Sequence, residues 1–122
     1  MLRFSLFATV VAFCAIAVLR PAAAEGFTLQ EWNRIEEQAA KNDVRAKALR
    51  DGYIAGVRDA LRFYSKVSTT FPICWPKDHD IDEELIRGIV DAVRREHPDI
   101  AKPEDNFAYI VVLSLYDTYP CR

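Results

Sequence analysis

Two cysteines, two histidines and a run of acids carry most of the chemistry this chain could do. Cys74 and Cys121 are thiols that could pair or act as nucleophiles. A nucleophilic cysteine needs a nearby base and a lowered pKa. His79 and His97 are the only histidines that could serve. Asp78, Asp80 and Asp82 alternate like the opening ligands of a calcium loop. Such a loop needs glycine where Glu83 stands and glutamate where Ile89 stands, and it has neither. No cysteine and histidine set has zinc spacing, no glycine-rich loop could cradle a phosphate, and no Ser, His and Asp set has a plausible base. The carboxylate pairs lack the apolar neighbours that raise a pKa for acid catalysis. The expectation is therefore no catalytic site, no metal and no cofactor.

The fate of the thiols depends on compartment, which the N-terminus addresses. Met1-Leu2-Arg3 is a short positive start, Phe4 to Leu19 is apolar, and Pro21 to Ala24 supplies small residues. This is the three-part pattern of a secretory signal peptide over residues 1–24, with cleavage between Ala24 and Glu25. The apolar run is too short for a spanning helix, which wants about 20 apolar residues. Cys14 would leave with the signal. In an exported protein the remaining pair, Cys74 and Cys121, reads as a disulfide, and the competing reading is a catalytic thiol.

Residues 25–122 form one domain by length. Losing Arg3 and Arg20 from the 16 basic side chains leaves 14 against 18 acidic ones, a net charge of −4. That balance argues against nucleic acid and against an anionic membrane surface as partner.

The elements that position these residues read as helices. Thr28 and Glu31 form a capping box, and Phe27 and Trp32 sit as a hydrophobic staple, followed by Ile35 and Ala39. Lys41-Asn42-Asp43 breaks the pattern. A second helix runs from Val44 to about Lys66, with Tyr53, Val57, Ala60, Leu61 and Tyr64 at helical spacing. Gly52 and Gly56 lie one turn apart, and glycine inside a helix costs roughly 1 kcal/mol. The expected return is close helix packing at Gly52, Tyr53 and Gly56. Arg58, Arg62 and Lys66 read as a solvated basic face. Pro72 and Pro76 keep the segment around Cys74 extended.

A third helix covers Glu83 to Glu96, with Asp82 or Asp80 as N-cap and Leu85, Ile86, Ile89, Val90 and Val93 as its core face. Asp91 is spaced to pair with Arg87 and Arg95. His97 reads as a cap and Pro98 as the stop. A fourth helix is expected from near Pro103 to before Pro120, with Phe107, Ile110, Val111, Ser114 and Leu115 facing one way. The fold class is all-α: a small domain of roughly four helices closed by one disulfide.

Four segments of this chain together resemble the type VI secretion amidase immunity (Tai/Rap immunity) proteins of Gram-negative bacteria. Tyr53-Ile54-Ala55-Gly56 is similar to that family's Tyr-x-x-Gly helix, and Cys74-Trp75-Pro76 to its Cys-x-Pro segment. Glu96-His97-Pro98 is similar to its His-Pro stop, and Tyr119-Pro120-Cys121 to its terminal aromatic-Pro-Cys. Many members carry a further cysteine near Arg50-Asp51, and this chain does not. The resemblance implies a periplasmic, often dimeric, helical protein that binds a cell-wall amidase and plugs its cleft. The expected contact surface is Trp75, Lys77, Asp78, His79 and Asp80. Trp75 is either an interface anchor or a packed lid over the disulfide. The alternative function is a periplasmic stress protein of the acid-chaperone type. A cysteine hydrolase is the third, and it requires a free thiol at Cys74 or Cys121.

Overall fold

The computed structural model describes residues 26–122. The expected signal over 1–24, its cleavage point at Ala24 and Glu25, and Cys14 lie outside the described residues. Four helices follow in order: α1 (Leu29–Ala40), α2 (Val44–Val67), α3 (Glu83–Glu96) and α4 (Phe107–Thr118). A single 3-10 turn, Pro98–Ile100, follows α3. The described residues are all-α, and Cys74 is disulfide-bonded to Cys121. Among the described residues, extended chain pairs only as two isolated bridges, Thr28 with Asn106 and Ile73 with Pro120.

Local chemistry starts each helix. The Thr28 amide donates to Glu31 Oε2 at 2.7 Å and the Glu31 amide to Thr28 Oγ1 at 3.2 Å, the reciprocal box that satisfies two free N–H groups. Asn42 turns the chain into α2 with a φ of 64°, and Asp43 caps that helix through the Ala46 amide. Asp82 caps α3 by accepting from the Leu85 amide at 2.8 Å. His97 closes α3, its amide donating to the Val93 carbonyl.

The fourth helix starts later than its sequence suggests. Asn106, not a residue near Pro103, is its N-cap and accepts from the Tyr109 amide. The carbonyls of Pro103 and Asp105 are used elsewhere: they accept from the Gln30 and Leu29 amides in the first turn of α1. A helix beginning at Pro103 would have turned those carbonyls along its own axis and left the start of α1 without acceptors.

One core holds the four helices together. Trp32 stacks on Phe107 with centroids 4.1 Å apart and an interplanar angle of 13°. Phe27 and Tyr53 close around that pair. Ile54, Ile86, Val90, Ile110, Val111 and Leu115 extend the cluster through α2, α3 and α4. The buried Ser114 hydroxyl donates back to the Ile110 carbonyl at 2.7 Å, so no polar atom is stranded there. Glu36 of α1 accepts from Arg87 of α3 at 2.9 Å and lies near Arg50 of α2, which ties three helices at one point. Arg87 is thus committed to α1. Asp91 pairs with Arg94, at 3.6 Å, rather than with Arg87 or Arg95.

The glycines of α2 do not do what their spacing suggests within this chain. Gly52 and Gly56 are exposed, and a Cβ at either would meet nothing within 4 Å. The core-facing side of α2 carries Ala46 and Ile54 with Tyr53, Val57 and Leu61, and the glycines lie on the other side.

Candidate binding surface

The connection from α2 to α3 is pinned at both ends. Ile73 and Ile81 are buried in the core, and residues 74–80 between them stand at the surface. The Cys74 amide donates to the Tyr119 carbonyl at 2.9 Å, and the Cys121 amide to the Pro72 carbonyl at 3.0 Å. The disulfide locks the same pair of segments, with Cα atoms 4.9 Å apart. Both cysteines are exposed. Their sulfurs are bonded to each other, so neither is a free nucleophile, and a cysteine hydrolase loses its thiol.

Within the loop, side chains reach to three other elements. The Trp75 indole N–H donates to Ser65 Oγ on α2 at 3.1 Å. The Arg62 guanidinium carbon lies 5.7 Å from the Trp75 ring centroid, a cation–π approach. The same guanidinium binds the Asp80 carboxylate. Arg58, one turn earlier, donates to Glu83 at the start of α3 at 2.8 Å. The basic row expected as a solvated face is therefore partly a clamp: Arg58 and Arg62 hold the acid-rich stretch that leads into α3. Trp75 is half-buried and lies on α2.

His79 joins the loop to the C-terminal segment. Its Nδ1 is 2.9 Å from Asp78 Oδ1 and its Nε2 is 3.3 Å from the Tyr119 hydroxyl. Asp, His and Tyr in line could relay a proton if a substrate were held against them. All three of Lys77, Asp78 and His79 are exposed. A depression of about 340 Å³ elsewhere on the surface is lined by Asp91, Arg94, Arg95, Pro98 and Ala101. A second, about 580 Å³ and wide open, runs along α3 by Leu85, Gly88 and Ile89.

Electrostatics follow these partners. The Arg62 hydrogen bond holds the Asp80 carboxyl below its ordinary value. Backbone N–H donation, then His79, lowers Asp78. The three acids that alternate like calcium ligands are divided: Asp78 faces His79, Asp80 faces Arg62, and Asp82 caps α3. Among the described residues no group of three or more His, Cys, Asp or Glu side chains is placed to hold a metal.

Trp75, Lys77, Asp78, His79 and Asp80 follow one another along the surface loop, with Trp75 and Asp80 held by α2 and His79 by Tyr119. The structure adds Ser65, Arg62 and Tyr119, which sequence reading left out of the set. Opposite charge was the available signal, since the basic row of α2 faces a segment holding Asp78, Asp80, Asp82, Glu83 and Glu84. Gly52 and Gly56 are exposed on α2, over open space. Tyr53 is in the aromatic cluster, and burial raises its phenol pKa. No family model, curated protein or solved structure matches the chain.

Proposed function

We propose that the protein is a non-enzymatic periplasmic binder that blocks a peptidoglycan amidase by covering its cleft, as the immunity proteins that its motifs resemble do. The observation that supports this reading is the pinned loop 74–80. Buried Ile73 and Ile81, the disulfide and the Arg62–Asp80 pair fix its shape while its polar side chains stay exposed. A surface segment held rigid before binding loses less conformational entropy on association. Lys77, Asp78, His79 and Asp80 give it both signs of charge, which suits a cleft lined by polar and ionised groups.

The test is binding of the oxidised protein to amidases encoded beside its gene, with loss of amidase activity as the second readout. Lys77→Glu and His79→Ala should weaken binding at least tenfold while the helical circular dichroism stays unchanged. Binding to none of those amidases removes the immunity reading.

The acid-chaperone reading draws on a different observation, the large apolar side chains exposed along α2. It predicts that acidification increases binding of a hydrophobic dye and protects a client from aggregation. Dye binding that stays flat down to acid pH discards it. Export itself rests on residues 1–24, and N-terminal sequencing of the periplasmic protein should begin at Glu25.

A further inference from the structure

The arginines of α3 differ in how they are satisfied. Arg87 donates to both oxygens of Glu36, at 2.9 and 3.2 Å. On α2, Arg50, Arg58 and Arg62 each hydrogen-bond a carboxylate. Arg94 only approaches one: its guanidinium stands 3.6 Å from Asp91 Oδ1, too far for a hydrogen bond. Arg95 is paired with no carboxylate among the described residues. Both arginines line the depression of about 340 Å³ at the end of α3, with Asp91, Pro98 and Ala101. Its size is at the small end of the range for small-molecule sites, about 300–1,000 Å³.

Helical spacing explains the grouping. Residues three and four apart are neighbours on a helix surface, so Arg94 and Arg95 flank Asp91 one turn on. His97 ends the helix, and the 3-10 turn Pro98–Ile100 carries the chain round so that Pro98 and Ala101 border the same hollow. Its walls therefore present two cations, one carboxylate and a small apolar surface. Cations are favoured at a helix C-terminus, which accounts for the two arginines but not for the hollow they border.

We infer that this hollow binds a free α-amino acid in its zwitterionic form. Guanidinium groups bind carboxylates through paired N–H donors, and those of Arg94 and Arg95 are not used up by carboxylates of the described chain. A simple carboxylate meets a difficulty here. Held at Arg94, it also lies beside the negative Asp91. An α-amino acid carries an ammonium on the carbon next to its carboxylate. With the carboxylate on the guanidiniums, the ammonium reaches Asp91, and repulsion is replaced by attraction. Pro98 and Ala101 offer its side chain a small apolar surface, which suits alanine or valine better than a charged amino acid. The charged walls stand partly in water, which keeps the affinity modest. The hollow shares no residue with the 74–80 loop, so it stands or falls apart from the amidase reading.

Titration of the oxidised protein with alanine, acetate and methylammonium tests this, read as NMR shifts of the backbone amides between Asp91 and Ala101. Alanine should bind several-fold more tightly than either acetate or methylammonium. Arg94→Gln combined with Arg95→Gln should abolish the response to alanine with the helical circular dichroism unchanged. Asp91→Asn should bring alanine down to the affinity of acetate, a change that loss of a merely structural contact would not produce. Asp91 and Arg95 are exposed and Arg94 is half-buried, so these variants remove charge without opening the core. Acetate that binds as tightly as alanine overturns the inference. So does alanine that shifts no amide of the segment, or shifts them equally in the double variant.

Discussion

Arg62 shows how single residues make this surface. Its guanidinium lies over the Trp75 ring and binds the Asp80 carboxylate, so one side chain sets the position of two loop residues. The hydrogen bond holds the Asp80 carboxyl below its ordinary value of 3.8. A carboxyl depressed in the folded state contributes stability above that value and loses it as pH falls through the lowered one. Asp80→Asn should therefore melt below the wild type at neutral pH, and the two melting curves should converge as pH drops below 3.8. Curves that stay equally separated from neutral to acid pH would refute the pairing. The carboxylate is exposed, so the neutral-pH difference should be small. The capping pairs were legible in the sequence because their partners are three residues apart, as at Thr28 and Glu31 or Asp82 and Leu85. Arg58 and Arg62 were not, because their carboxylates lie 25 and 18 residues away. Helical spacing shows which residues share a face, but not what that face meets.

At the scale of elements, α1 and α4 depend on each other at their first turns. The Thr28–Asn106 bridge, the Phe107 amide on the Phe27 carbonyl, and the Pro103 and Asp105 carbonyls on α1 knit the two N-terminal ends together. This explains why the start of α4 was misplaced in the sequence. Pro103-Glu104-Asp105 has the composition of a first helical turn, yet its carbonyls serve a helix more than 70 residues earlier. Long-range acceptors leave no local pattern. Asn106→Ala should cost about 1 kcal/mol by loss of the cap. Phe107→Ala should cost about 3–5 kcal/mol, because the ring is fully buried and stacked on Trp32. Urea unfolding followed by circular dichroism measures both, and equal effects would mean that the aromatic stack is not the centre of the core. The core face of α3 and its Pro98 stop were legible because a single strong 3.6-residue period runs from Leu85 to Val93.

Across the whole molecule, two surfaces rest on different supports. The 74–80 loop is fastened by the disulfide and by backbone bonds between residues 72–74 and 119–121. The apolar side chains exposed along α2 stand on a helix whose inner side is packed by α1 and α3. Opening the disulfide frees a loop of 47 residues in the unfolded chain, which in the chain-entropy account lowers stability by about 4 kcal/mol. That is a large share of the roughly 5–15 kcal/mol typical of a domain. The native segments would still be joined by their two backbone bonds, so the reduced protein should remain folded in mild buffer but with a less constrained loop. Reduction, or Cys74→Ser with Cys121→Ser, should then move the urea midpoint down sharply and weaken binding through Lys77 and His79. Measuring midpoint and partner affinity on one reduced sample separates the two. If affinity stayed at its oxidised value while every helix was still in place, the disulfide would not be what holds the 74–80 loop in shape.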